Sequence, residues 1–146
     1  MIGLLQRVTQ ACVKVDDKTV ARIETGLVVL IGVEKDDTVA QADRLTERLL
    51  GYRVFPDMDN KMNLCLKDIS GGLLLVPQFT LPADTRKGMR PSFSSAASPE
   101  TARHLFEYLV EHATKQHSFV EAGVFGADMQ ITLTNDGPVT FWLQTP

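Results

Sequence analysis

Three stretches hold the residue types from which chemistry could be built. The first is LLLVPQFTLP, Leu73 to Pro82, where Pro77 follows an apolar run. A proline there obliges a strand ladder to end or to lie at an edge. Gln78, Phe79 and Thr80 would then be presented from a kinked strand end, and an amide, a ring and a hydroxyl together suit a base or a small polar substrate. The second is ADTRKGMRPSF, Ala83 to Phe93, where Arg86, Lys87 and Arg90 fall in one loop. Such a loop meets phosphates if it borders the Gln78–Thr80 site, and is otherwise simply solvated. The third is NDGPVTFW, Asn135 to Trp142, between the strand-like runs Met129–Thr134 and Val139–Leu143. Asp-Gly suits a tight hairpin, and taken alone the stretch reads as one. A proline directly after the glycine, donating no ladder N–H, is the feature that needs a reason.

Much familiar machinery is absent. His104, His112 and His117 all sit on or just after one helical segment and read as solvated surface groups. Cys12 and Cys65 lie in strand-like sequence, without C-x-x-C spacing and without a histidine nearby in sequence, so neither a disulfide framework nor a cysteine zinc site is expected. There is no H-E-x-x-H, no P-loop, no G-x-G-x-x-G and no G-x-S-x-G. The acidic residues cluster at turns such as Asp16-Asp17 and Asp36-Asp37, where solvation and capping explain them.

A chain of 146 residues with 44% apolar and 23% charged residues is expected to form one globular domain spanning residues 1–146. The net charge of −3 gives no global attraction to nucleic acid, though it leaves room for a local basic patch. No apolar run approaches the roughly 18 residues that span a bilayer. The start, MIGLLQRVTQ, has no signal-peptide pattern, so a cytoplasmic location is expected.

The elements that must position these stretches follow from periodicity. Residues 2–15 read as a long strand whose parity slips between Val8 and Ala11, as at a bulge. Asp16-Asp17-Lys18 turns into a short strand at Thr19–Ile23, and Leu27–Val33 reads as a strand buried on both faces. Thr38 with Gln41 forms a capping box for a helix that buries Ala42, Leu45, Leu49 and Tyr52. Arg53–Phe55 and Lys61–Leu66 read as a strand pair, and Leu73–Val76 as another strand. Ser98 caps a second helix with Pro99 at its first position, whose apolar stripe runs from Ala102 to Ala113. The expected fold is α+β, mostly antiparallel sheets forming a barrel-like core covered by two main helices.

QRV at 6–8, GVEKDD at 32–37, KMNL at 61–64, QFTL at 78–81, RKGMRPSF at 86–93 and NDGPVTFWL at 135–143 occur in that order. Together they resemble the D-aminoacyl-tRNA deacylases, from Met1 to Gln144. The resemblance implies a homodimer that hydrolyses the ester between a D-amino acid and the terminal adenosine of tRNA, and glycine misattached to tRNA. No cofactor, metal, DNA partner or membrane is expected. It implies a cis Gly137–Pro138 bond whose turn enters the partner's active site and excludes L-amino acids by main-chain contact.

The remaining site expectations attach to that likeness. Main-chain N–H groups of Phe79 and Thr80 would stabilise an oxyanion while the ribose 2′-hydroxyl assists attack. Gln78, Phe79, Phe125 and Met129 would contact substrate and adenosine, Arg7 and Asn135 would support the site, and Arg86, Lys87 and Arg90 would meet tRNA phosphates. The family usually reads SQFTL where this chain has Pro77 before Gln78, so a hydroxyl and an N–H are both lost there. Two other readings stay open: an RNA-binding module without catalysis, and a conventional hydrolase with Cys65 or Thr80 as nucleophile.

Overall fold

Strand β1 (Ile2–Val15) organises the computed structural model, which describes residues 1–146. One side of β1 pairs antiparallel with β2 (Lys18–Ile23) along its second half and with β3 (Gly26–Gly32) along its first. The other side pairs antiparallel with β8 (Gln130–Gln144) over nearly its whole length. Asp16 and Asp17 both take positive φ (49° and 63°), the turn geometry that matches the twist of a two-residue hairpin. The expected parity slip is real: the β1–β8 register shifts between Gln6 and Val8 and again between Val8 and Gln10.

On the far side of β3, strand β6 (Gly72–Pro77) runs parallel to it, and β7 (Val120–Ala122) runs parallel to β6. The mixed sheet curls into a nearly closed barrel. β3 is buried on both faces, as its unbroken apolar run requires: Leu27, Val29 and Ile31 join one core, and Val28 joins a smaller one with Val8, Ala11 and Val76.

Helices α1 (Val39–Gly51) and α3 (Pro99–Gln116) pack together over the larger core, burying Ala42, Leu45 and Leu49 from one and Leu105, Leu109 and Ala113 from the other. Both start as the sequence indicates. Gln41 Oε1 accepts the Thr38 N–H at 2.8 Å, and Ser98 Oγ accepts the Thr101 N–H at 3.2 Å. No helix is long and apolar enough to cross a membrane.

Four local expectations need correcting. The Arg53–Phe55 and Lys61–Leu66 pair shrinks to β4 (Phe55–Pro56) with β5 (Met62–Leu64), because a one-turn helix α2 (Leu66–Ile69) takes over where Asp68 accepts the Cys65 N–H. The three-residue β7 is too short to show a period and was not anticipated. His112 and His117 are not simply solvated: His112 stacks on Tyr108 near Asp43, and the His117 ring lies 2.6 Å from the Gly71 carbonyl. Asn135–Trp142 is not a hairpin turn, since the runs before and after it both pair with β1.

The N-terminal ammonium closes the end of the barrel nearest the Gln78 turn. It donates to Glu34 Oε2 at 2.9 Å, Asp37 Oδ1 at 2.5 Å and the Thr145 carbonyl at 3.2 Å. Burial raises the Glu34 pKa, but hydrogen bonds from the ammonium and Gln144, with the ammonium's charge, outweigh it and leave the carboxyl below its ordinary value. A carboxyl depressed by folding adds stability that is full above its unfolded pKa and lost as pH falls through the lower folded value. Urea unfolding should therefore show stability falling below about pH 4.5, and Glu34→Gln should flatten that part of the profile.

Candidate active site

The site begins where β6 runs out. Gln78 donates its N–H to the Ile31 carbonyl at 2.7 Å, and Leu81 donates back to the Gln78 carbonyl at 3.3 Å. Gln78-Phe79-Thr80-Leu81 is thereby a turn hung from the end of β3. In such a turn the two central N–H groups point outward, and those of Phe79 and Thr80 donate to no atom of the chain. The turn sits directly on Gly32: a β-carbon there would meet Leu81 Cβ and Pro82 Cδ at 2.8 Å each. The glycine of GVEKDD is what lets the turn dock.

Pro77 has a structural reason. On the β7 side of β6, Leu73 donates to the Phe119 carbonyl and the Leu75 carbonyl accepts from Gly123, whereas Gln78 donates to Ile31 of β3. Pro77 belongs with Leu73 and Leu75, one step past the end of β7, so its ring removes no ladder donor.

Beside this turn opens a cavity of about 350 Å³, at the small end of ligand pockets. Phe79, Phe125 and Met129 form its walls, and Ala96, Ala97 and Ala102 its floor at the start of α3. Phe79 is 65% exposed and leans on Phe93, ring centres 5.4 Å apart. The sequence reading found the walls and missed the alanine floor; its signal was the small-residue run SSAA just before the capping serine. Gln78 lies on the turn itself, its side-chain amide donating to Thr80 Oγ1 at 2.5 Å. No three His, Cys, Asp or Glu side chains converge anywhere in the fold.

The basic loop is divided. Asp84 takes both the Nε and Nη2 hydrogens of Arg86, at 2.9 and 2.7 Å, and this contact holds the Asp84 carboxyl far below the usual range. Arg86 is thus committed to its own loop. Lys87 and Arg90 are exposed and have no carboxylate within ion-pair distance.

Gly137 and Pro138 lie elsewhere. Gln6 pairs with Thr140 and Val8 with Asn135, so Asp136–Val139 bulge out opposite Arg7 alone. The Gly137–Pro138 peptide is cis and exposed. Arg7 braces the excursion, donating from Nε to the Asp136 carbonyl at 3.0 Å and from Nη1 to the Val54 carbonyl at 2.7 Å. Asn135 clasps its neck, accepting the Val139 N–H at 2.7 Å and donating to Thr140 Oγ1 at 2.8 Å. By strand spacing the excursion lies on the order of 15–20 Å from the Gln78 turn: four residues along β1 and three strands across. One chain does not bring the two together.

Against known proteins, residues 4–144 match the family model described as D-Tyr-tRNA(Tyr) deacylase. The D-aminoacyl-tRNA deacylase of Methylococcus capsulatus is 59% identical, over all of this chain and 95% of its own. That of Thioalkalivibrio sulfidiphilus is 60% identical, over all of this chain and 98% of its own. A solved structure named c-Myc DNA Unwinding Element Binding Protein superposes with a TM-score of 0.96 at 34% identity, covering 100% of this chain and 99% of that one. A match of this extent and identity makes the chain an enzyme of the D-Tyr-tRNA(Tyr) deacylase family.

Proposed function

We propose that the protein hydrolyses the ester joining a D-amino acid, or glycine, to the terminal adenosine of tRNA, as a homodimer whose two sites lie at the subunit interface. The observation that carries this reading is the Gln78–Leu81 turn, with two unengaged main-chain donors at the mouth of a base-sized apolar cavity. Adenine enters between Phe79, Phe125 and Met129. The ester carbonyl then lies on the N–H groups of Phe79 and Thr80, which stabilise the oxyanion as water adds. The bond from carbonyl carbon to ribose oxygen breaks, and the proton goes to that oxygen with help from the neighbouring 2′-hydroxyl. A free amino acid and an uncharged tRNA leave. Orientation and main-chain dipoles do the work, so no reactive side chain and no hydroxyl at position 77 is needed.

Selection of hand falls to the partner's Asp136–Val139 excursion. It is too far from the pocket of its own chain, is exposed at Asp136–Pro138 and firmly braced, and adjoins Phe141 and Trp142, which are 37% and 51% exposed. Exposed apolar residues beside a projecting loop suit a two-fold interface. With the substrate ammonium fixed, an L side chain is driven into this backbone and a D side chain points away. Glycine has nothing to exclude, so glycyl esters pass. The wall rejects one hand without affinity for any side chain. Cleavage of D-tyrosyl- and L-tyrosyl-tRNA tests this: the D ester should disappear about a thousandfold faster, equivalent to about 4 kcal/mol. Equal rates would end the reading, and salt-sensitive binding with no cleavage would favour an RNA-binding module built on Lys87 and Arg90.

A further inference from the structure

We propose that Arg103 holds the phosphodiester on the 5′ side of the terminal nucleotide, so that the site recognises a nucleotide and not merely a nucleoside ester. This rests on placing the terminal adenosine in the Phe79–Phe125 cavity. That cavity, about 350 Å³, accommodates a base and sugar and leaves the 5′ phosphate at its rim.

Arg103 lies beside that rim, in the adjoining groove that shares Phe125 with the cavity. Its guanidinium lies over the Phe125 ring, 4.8 Å from the ring centre, and Phe125 is a cavity wall. Its Nη2 comes within 3.5 Å of where a β-carbon on Gly126 would sit, and Gly126 is also a wall. With no side chain on Gly126, that residue puts nothing between the guanidinium edge and the cavity. Pro99 and Ala102, from the first turn of the 18-residue α3, line the same cavity, so the positive end of that helix favours an anion there too.

The opposing charge is weak. Glu107 Oε1 is 3.8 Å from Arg103 Nη1, and the two side chains are 54% and 63% exposed, respectively. Solvent screens such a pair, and its length leaves the guanidinium donors free. A planar guanidinium stacked on an aromatic ring, with an open edge, matches the paired oxygens of a phosphodiester. Lys87 and Arg90 lie in the loop that leads to Phe93, on the Phe79 side of the cavity, where they suit phosphates farther along the strand.

Three D-tyrosyl esters test the assignment: those of adenosine, of the dinucleotide cytidylyl-adenosine, and of intact tRNA. For the unsubstituted enzyme, KM should fall about tenfold from the nucleoside to the dinucleotide ester. Arg103→Ala should abolish that fall with kcat little changed, and Arg103→Lys should restore part of it. An equal rise in KM for the nucleoside ester would mean that Arg103 only props Phe125, and would overturn the proposal. So would the absence of any fall in the unsubstituted enzyme, or its loss in Lys87→Ala or Arg90→Ala in place of Arg103→Ala. Failure to cleave any of the three esters would instead sink the deacylase reading, and this proposal with it.

Discussion

A D-aminoacyl-tRNA whose terminal ribose lacks the 2′-hydroxyl is expected to resist the enzyme, while Thr80→Ala keeps a good part of its turnover. The reason lies in what surrounds Thr80. The one hydrogen bond of its hydroxyl within the chain comes from the Gln78 amide, a donor that cannot take up a proton. The hydroxyl makes no hydrogen bond to a histidine or carboxylate, the contact that would activate it as a nucleophile. Thr80 contributes its N–H to the oxyanion site, and alanine supplies the same N–H. The substrate hydroxyl, by contrast, is the group placed beside the leaving oxygen. Its removal should slow single-turnover cleavage by at least about a hundredfold, the usual worth of a positioned proton donor or acceptor. Thr80→Ala should cost no more than about tenfold. The reverse pattern would make Thr80 the nucleophile.

The second large effect is expected from Gly137→Ala. Gly137 has φ +135°, a conformation that L residues rarely adopt, and an added β-carbon would lie 2.7 Å from Val139 Cγ2 and 3.2 Å from Arg7 Nη2. Relieving that contact must move either the excursion or its Arg7 brace. A backbone residue forced into such a region costs about 1–3 kcal/mol. Asp136, Gly137 and Pro138 are exposed and only Val139 of the excursion reaches a core, so the fold should survive with a small loss in melting temperature. A wall displaced by even part of an ångström no longer discriminates, and the ratio of D- to L-tyrosyl-tRNA cleavage should fall at least tenfold, to roughly a hundred or below. Arg7→Ala should act in the same direction by removing the donors to Asp136 and Val54. An unchanged ratio in both variants would mean that the excursion takes no part in selecting hand.

Much of the scaffold was legible because its periods are long. β1, the doubly buried β3 and the stripes of α1 and α3 each repeat often enough to declare themselves, and Thr38 and Ser98 cap where turn chemistry says they should. What escaped depends on distant partners. β7 has three residues and no period, yet its parallel pairing with β6 brings Phe125 and Met129 to the start of α3 and so builds the cavity. Asn135–Trp142 has the local chemistry of a hairpin, but β1 offers a full-length partner to both halves, and the ladder wins over the turn. Arg86 read as a phosphate ligand because its Asp84 partner, two residues away, cannot be told from a solvated neighbour by spacing alone. Arg103 went unnoticed for the opposite reason: with Glu107 one turn on, it looks like an ordinary surface pair.

The most direct test of a pocket on one chain completed by backbone from the other is complementation in mixed dimers. One variant, Phe79→Ala with Phe125→Ala, keeps its excursion and loses its pocket; the other, Gly137→Ala, does the reverse. The first alone should cleave neither D- nor L-tyrosyl-tRNA, and the second alone should cleave the D ester with its selectivity at least tenfold lower. Unfolded together and refolded as a random mixture, they should recover about a quarter of the unsubstituted enzyme's D-selective activity, since half the dimers hold one intact site of two. Recovery no greater than the sum of the separate variants would place pocket and wall on the same chain and contradict the account.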